Sequence, residues 1–312
     1  MIHKRTLRNA LLSLAVWGLA SLGAGQDIDR SARVILVSGA TGTQGGAVAR
    51  ELVSRGYTVR GLTRNPDSEA SGALTALGVQ MMRGDFDDAA SLDAALDGAC
   101  GAFSVQQYRG VGVEGEIRQG KAFADAAERA GVEHFIYTST FATPLNTGVP
   151  QFESKAEIED HVRSLDTPYS IVRPRAFMSN LEGAREAAEN GVYRTPYPAD
   201  QVSYTIEPAD IGRIVAEAFD NPDEWIGREL EIAGDEISNA DVAATMSRVL
   251  GSPVVYEQIP WAEFVAAATP TVIAQVAWSL ENSASEDIDG LRQEFPWLLT
   301  VEDYLISADW NE

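Results

Sequence analysis

Three glycines spaced three residues apart, Gly39, Gly42 and Gly45 in the stretch SGATGTQGG (38–46), directly follow the apolar run VILVS. A loop of that kind binds phosphate. Its first glycine permits a tight turn, and its second lets the backbone approach a pyrophosphate. The third lets the following helix pack closely with its N-terminus turned to the anion. The spacing becomes specific because a strand precedes it and a helix follows. The second candidate is Arg64, in LTRNP (62–66) at the end of the next apolar run. NAD-preferring loops carry an acid there for a ribose hydroxyl. Arg64 instead offers a guanidinium fork to a 2′-phosphate, so NADP(H) is expected in preference to NAD(H). Asp85 and Phe86 follow the third run, where the pair either borders an adenine or simply caps the next helix. Gln106 and Tyr108 follow the fourth, at the edge where ligands gather on such sheets.

Candidates for proton chemistry are fewer. Lys155, in QFESKAEIE (151–159), is one of only 3 lysines in a chain with 21 arginines. Ser139 closes the fifth apolar run and could orient a carbonyl. No Walker lysine and no G-x-S-x-G is present, and no His and Cys stand in a nucleophile arrangement. Three His and one Cys argue against a zinc site, and Cys100 alone permits no intrachain disulfide.

These residues must be held by regular elements. Short apolar runs at 34–38, 58–63, 79–83, 101–105, 134–139 and 169–174 read as buried strands. Helical patterns at 45–54, 68–77, 91–96, 114–130 and 152–164 separate them. Alternation at this spacing predicts right-handed crossovers and an α/β fold with a doubly wound parallel sheet of Rossmann type over 34–175. Beyond Pro174 the pattern loosens. Helices at 208–219 and 238–250 and strands at 229–233 and 254–259 predict a small C-terminal α+β lobe over 176–312 that closes the cleft.

Composition limits the partners. With 46 acidic and 24 basic residues the formal charge is −22, which repels nucleic acid phosphates and argues against direct DNA or RNA binding. The first 25 residues have the layout of a signal peptide: His3, Lys4, Arg5 and Arg8, then a mostly apolar run from Ala10 to Ala24. That run is too short for a stable membrane span. Lys4-Arg5-Thr6-Leu7 weakly resembles a twin-arginine signal, which suits export of a folded protein. The alternative is an upstream extension ahead of a start at Val34, which suits a cytoplasmic dinucleotide-binding protein.

Several long segments together resemble the NmrA-like (NmrA/HSCARG) group of atypical short-chain dehydrogenase/reductases. They are SGATGTQGGAVARELVSRGYTVRGLTRNP, GDFDDAASLDAALDGACGAF, HFIYTST, FESKAEIEDHVRSLDTPYSIVRPRAFMSN and IEPADIGRIVAEAF. The resemblance covers about 34–260 and leaves out the N-terminal extension. It implies a bound NADP(H), with Gly39, Thr41, Gly42, Thr43, Gln44 and Gly45 as the phosphate loop and Arg64 at the 2′-phosphate. It implies Lys155 at the nicotinamide end, and Phe177 and Asn180 in the segment closing the substrate cleft. It also implies divided functions, since some members look like nucleotide sensors acting through a protein partner and wider relatives transfer hydride. Ordinary short-chain dehydrogenases use Tyr-x-x-x-Lys, in which the tyrosine protonates a carbonyl oxygen one helical turn from the lysine. Gln151 holds the tyrosine position here. The first expectation is therefore a nucleotide-sensing or regulatory NADP(H)-binding protein, active through a protein partner or as a homodimer. The second is an NAD(P)H-dependent reductase of quinones, aldehydes or enones, with Lys155 as acid and Ser139 beside it.

Overall fold

A computed structural model describes residues 29–282 and 286–310; the signal-peptide-like segment lies outside them. The first half of the chain alternates strand and helix. It runs β1 (Val34–Val37), α1 (Thr43–Ser54), β2 (Thr58–Thr63), α2 (Glu69–Ala76), β3 (Gln80–Arg83), α3 (Ala89–Leu96) and β4 (Gly101–Ser104). It continues α4 (Gly112–Ala130), β5 (His134–Thr138), α5 (Pro150–Ser164) and β6 (Tyr169–Pro174). Then follow β7 (Ala176–Phe177), α6 (Arg185–Glu189), β8 (Val192–Thr195), β9 (Val202–Ile206), α7 (Pro208–Asp220), α8 (Pro222–Trp225) and β10 (Glu229–Ile232). The last elements are β11 (Asp235–Ser238), α9 (Asn239–Leu250), β12 (Val255–Gln258), α10 (Trp261–Ala267), α11 (Pro270–Glu281), α12 (Ile288–Glu294) and α13 (Val301–Ser307).

Seven strands form one parallel sheet in the order β10-β6-β5-β4-β1-β2-β3. Successive side chains of a strand face opposite ways, and the apolar runs therefore feed two cores. Ile35, Val37, Phe103 and Ile136 meet Val48 and Leu52 of α1 and Ile211, Ile214 and Val215 of α7. Leu36, Ala102, Phe135 and Tyr137 meet Leu92, Phe123, Ala127, Ile158 and Val162 on the other face. Strand order reverses between β1 and β4, where the carboxyl ends of a doubly wound sheet open into a binding crevice.

The expected division at 175/176 does not follow the sheet. Helix α7 packs against α1, and β10 pairs in parallel with β6, so both belong to the central unit and correct their expected place in the lobe. Gly212 explains the helix contact: a Cβ there would lie 2.8 Å from the Ala47 carbonyl oxygen, so the two helices meet backbone to backbone. The lobe itself holds a three-stranded sheet, β11-β9-β7, and the parallel pair β12-β8. Its core gathers Met178, Tyr193, Met246, Tyr304, Leu305 and Trp310.

Two carboxylates, buried Asp210 and half-buried Asp235, fasten the C-terminal segment to this frame. Asp210 accepts from the Leu299 amide and Asp235 from the Val301 amide, each at 2.8 Å. Burial pushes the Asp210 carboxyl from 3.8 up to about 6, against the opposing pull of the Leu299 amide. A carboxyl raised by folding stabilises the protein when protonated, and that contribution is lost as pH rises through the folded value. Asp210→Asn should therefore remove a gain in stability that the wild type shows between pH 7 and pH 4, of up to about 3 kcal/mol. Urea unfolding of both proteins across that range checks it, and parallel curves would contradict it.

Candidate functional site

The phosphate loop is built by close approach. Gly39 lies in the left-handed region at φ 58°, and its carbonyl accepts from the Gly42 amide at 2.8 Å. A Cβ at Gly45 would lie 2.3 Å from the Gly39 oxygen and 2.5 Å from the Ser38 oxygen, both backbone atoms. No side chain caps the N-terminus of α1, and Thr41, Gly42 and Thr43 are exposed. The first amides of the helix are thus free for an anion. The loop is also anchored from the neighbouring strands. The Val105 amide donates to Ser38 Oγ at 2.8 Å, and Thr138 Oγ1 donates to Gln44 Oε1 at 2.8 Å. This cradle, which side chains would fill, fits the pyrophosphate of a dinucleotide.

Arg64 is exposed just beyond β2 and makes no ion pair among the described residues. Arg83, not singled out from the sequence, ends β3 and donates to the Arg64 carbonyl at 3.0 Å, which brings a second guanidinium to the same edge. Asp85 and Phe86 have local structural tasks here. The Asp85 amide donates to Ser91 Oγ at 3.0 Å, and Phe86 meets Phe123 edge-on at 5.7 Å.

The acceptor side departs more from expectation. Gln106 turns its buried side chain to Ser104, with Nε2 donating to Oγ at 3.1 Å, so its carbonyl and not its amide group serves the site. The carbonyl of Tyr108 accepts from the Gly112 amide at 2.8 Å and begins α4. Phe177 is half-buried against the core of the α1 face, and Asn180 is exposed in the turn that follows.

Lys155 occupies the centre of the arrangement. Its ammonium donates to the Gln106 carbonyl at 3.1 Å, pairs with Glu116 Oε1 at 3.0 Å and lies 5.7 Å from the centre of the Tyr137 ring. Gln151, one turn earlier on the same face of α5, is buried and donates through Nε2 to Gln275 Oε1 of α11. The position of the usual proton donor therefore clasps a helix from the C-terminal region. Phe141, Phe152 and Trp278 pack beside that clasp with ring centres 5.2 to 6.3 Å apart.

Ser139 is buried beside Glu159, but its hydroxyl makes no hydrogen bond among the described residues. Burial would raise the Glu159 carboxyl. Arg173, bound through two bonds at 2.8 and 2.7 Å, and the Thr143 hydroxyl outweigh it and hold the group below its ordinary value. Glu229 is drawn down to about 2, first by Arg163 and then, against burial, by Arg173. Arg175 lies over Phe141 at 4.3 Å and Tyr204 at 5.2 Å and pairs with Glu286. Burial and the neighbouring Glu286 lift Glu231 to about 7. The sequence reading missed Glu116, Gln275, Trp278 and Arg175. Glu116 alone had a signal, an acid on the helix face that also carries Gln119, Gly120, Phe123 and Ala127, all buried. Among the described residues no cluster of His, Cys, Asp or Glu is arranged to hold a metal, and no helix is long and apolar enough to cross a membrane.

The family model described as the NmrA-like family matches residues 31–294. A (4-alkanoyl-5-oxo-2,5-dihydrofuran-3-yl)methyl phosphate reductase of Streptomyces griseus is 32% identical over 230 residues, covering 72% of this chain and 77% of its own. An NAD(P)H azoreductase of Xenophilus azovorans is 30% identical over 228 residues, covering 72% of this chain and 77% of its own. The crystal structure of NmrA, a negative transcriptional regulator, in complex with NADP superposes with a TM-score of 0.74 at 21% identity. It covers 89% of this chain and 98% of that one. This chain belongs to the NmrA-like family.

Gly45→Ala tests the cradle. The added methyl meets backbone carbonyls that cannot rotate away, so stability should fall by about 1–3 kcal/mol in urea unfolding. Any thermal stabilisation by added dinucleotide should vanish with it; a variant still stabilised like the wild type would contradict the geometry.

Proposed function

We propose that this NmrA-like family member binds NADP(H) on the Gly39–Gly45 loop and reduces a conjugated acceptor held beside Lys155. The observation that carries the reading is the ammonium of Lys155, fixed at the carboxyl edge of the sheet by Glu116 and the Gln106 carbonyl. The N-terminus of α1 receives the pyrophosphate, and Arg64 binds the 2′-phosphate. Bound NADPH would supply the hydride. The chain's own task is then to orient the acceptor and stabilise the charge that develops on it.

Gln151 has no proton to give, and this restricts the substrate class. A simple ketone gains a strongly basic alkoxide on hydride addition and needs an acid at once. A quinone, an azo group or an enone spreads the added charge onto oxygen or nitrogen by conjugation. It needs a nearby positive charge more than a proton, and solvent can supply the proton afterwards. Two relatives at 30–32% identity are named for acceptors of this kind, an azo compound and an unsaturated lactone. Helix α11 would close the acceptor end.

A second reading, a nucleotide-sensing protein acting through a protein partner, is favoured by the Gln151–Gln275 clasp, which seats α11 on the acceptor end. NADPH oxidation against quinones, azo dyes and enones separates the two. Turnover is expected with at least one class, falling 10-fold or more in Lys155→Ala with little change in NADPH affinity. Tight NADPH binding with no turnover on any of them would favour the sensor. Arg64→Ala should weaken NADPH binding by about 10-fold or more, the usual worth of a charge-assisted phosphate contact, and leave NADH binding unchanged. Equal losses for both would remove Arg64 from the 2′-phosphate site.

A further inference from the structure

Glu116 is a carboxylate with no solvent exposure on the inner face of α4. Leaving a charge there is costly unless it is paired and hydrogen-bonded. Two adjacent residues of α5 meet that need. Ser154 Oγ donates to Oε2 at 2.6 Å, and the Lys155 ammonium lies 3.0 Å from Oε1 as an ion pair without hydrogen-bond alignment. The contact depends on a close crossing of the two helices one turn further along. A Cβ at Gly120 would lie 2.6 Å from Ile158 Cδ1, so only glycine lets Ile158 sit so near α4.

The other groups around the pair do not compete for the carboxylate. Tyr137, from β5, is fully buried, and its hydroxyl has no partner among the described residues. Burial, and then the charges of Glu116 and Glu159, hold that phenol well above its ordinary range, so it stays neutral. Glu159 is engaged by Arg173 and Arg163, and Lys121, further along α4, pairs with Glu157 at the surface. Lys155 itself is only 15% exposed.

We propose that Glu116 is the positioning residue of this site: it aims the Lys155 ammonium at the carboxyl edge of the sheet. Ser154 fixes the rotation of the Glu116 carboxylate. This inference rests on Lys155 as the charge that meets the acceptor. On this account Lys155 acts as a positive charge held in place beside the acceptor.

The scarcity of lysine makes the test direct. With Lys4, Lys121 and Lys155 the only lysines, carbon-13 labelling of lysine gives three ε-methylene signals by NMR, and Lys155→Met assigns the one of interest. In Glu116→Gln the Lys155 signal should move to the shift of a free lysine side chain, and turnover should fall about 10-fold with NADPH affinity little changed; Glu116→Asp should recover part of both. An unchanged Lys155 signal in folded Glu116→Gln would overturn the proposal. If Glu116→Gln alone fails to fold, the double variant Glu116→Gln/Lys155→Met, which removes both charges, should fold. Failure of both would show the position to be structural and overturn the proposal too. A shifted signal together with a Lys155→Ala variant of unchanged turnover would leave the pairing intact, leave hydride transfer standing and show that Lys155 is not the charge that meets the acceptor, which overturns the reading this inference rests on.

Discussion

Helix α1 is squeezed between two backbones. On one side Gly45 lies against the carbonyls of Ser38 and Gly39, and on the other Gly212 of α7 lies against the carbonyl of Ala47. Neither contact admits a methyl group. The first sets the height of the helix N-terminus above the end of β1, where its free amides can receive an anion. The second draws α7 from beyond residue 175 into the central unit, and β10 follows it to the sheet edge. The binding loop and the seventh strand thus depend on one helix seated at two glycines.

The charges divide along similar lines. Arginine carries the structural networks: Arg173 and Arg163 bridge Glu159 of α5 and Glu229 of β10, while Arg55 and Arg30 meet on Asp220. A planar fork suits such multiple contacts. Lysine is spent differently, with Lys155 a compact point charge held between one carboxylate and one carbonyl. In a chain of formal charge −22, this sets an ammonium at the carboxyl edge of the sheet with its counter-charge buried on α4.

The parallel sheet was legible because buried strands are continuous apolar runs and the glycine loop falls between a strand and a helix. The small strands were not: β7 has two residues, and β8, β9 and β11 are partly exposed, so no run announces them. Helix α7 and β10 were read as elements, but a helix pattern does not say which layer it joins. That depended on Gly212 meeting Ala47 across 165 positions of chain. At the site, the absence of a tyrosine at 151 was visible, whereas its replacement by a glutamine pair with Gln275 was not. Nor was the Glu116–Lys155 pair, since its members sit on different helices and only the crossing at Gly120 brings them together.

Trp310 has its own consequence. Its ring is 2% exposed in the lobe core, and its indole nitrogen donates to Glu182 at 2.8 Å, as does the Tyr304 hydroxyl. Ribosomes deliver the chain from the N-terminus, and units fold as they emerge. The sheet is complete once residue 232 is out, but Met178, Tyr193 and Met246 stay uncovered until some 80 more residues have followed. During translation the nascent protein passes through an interval with a complete sheet, its α1-face core still lacking Leu291, Phe295 and Leu298, beside an open apolar lobe, a state in which chaperone capture would find its surface.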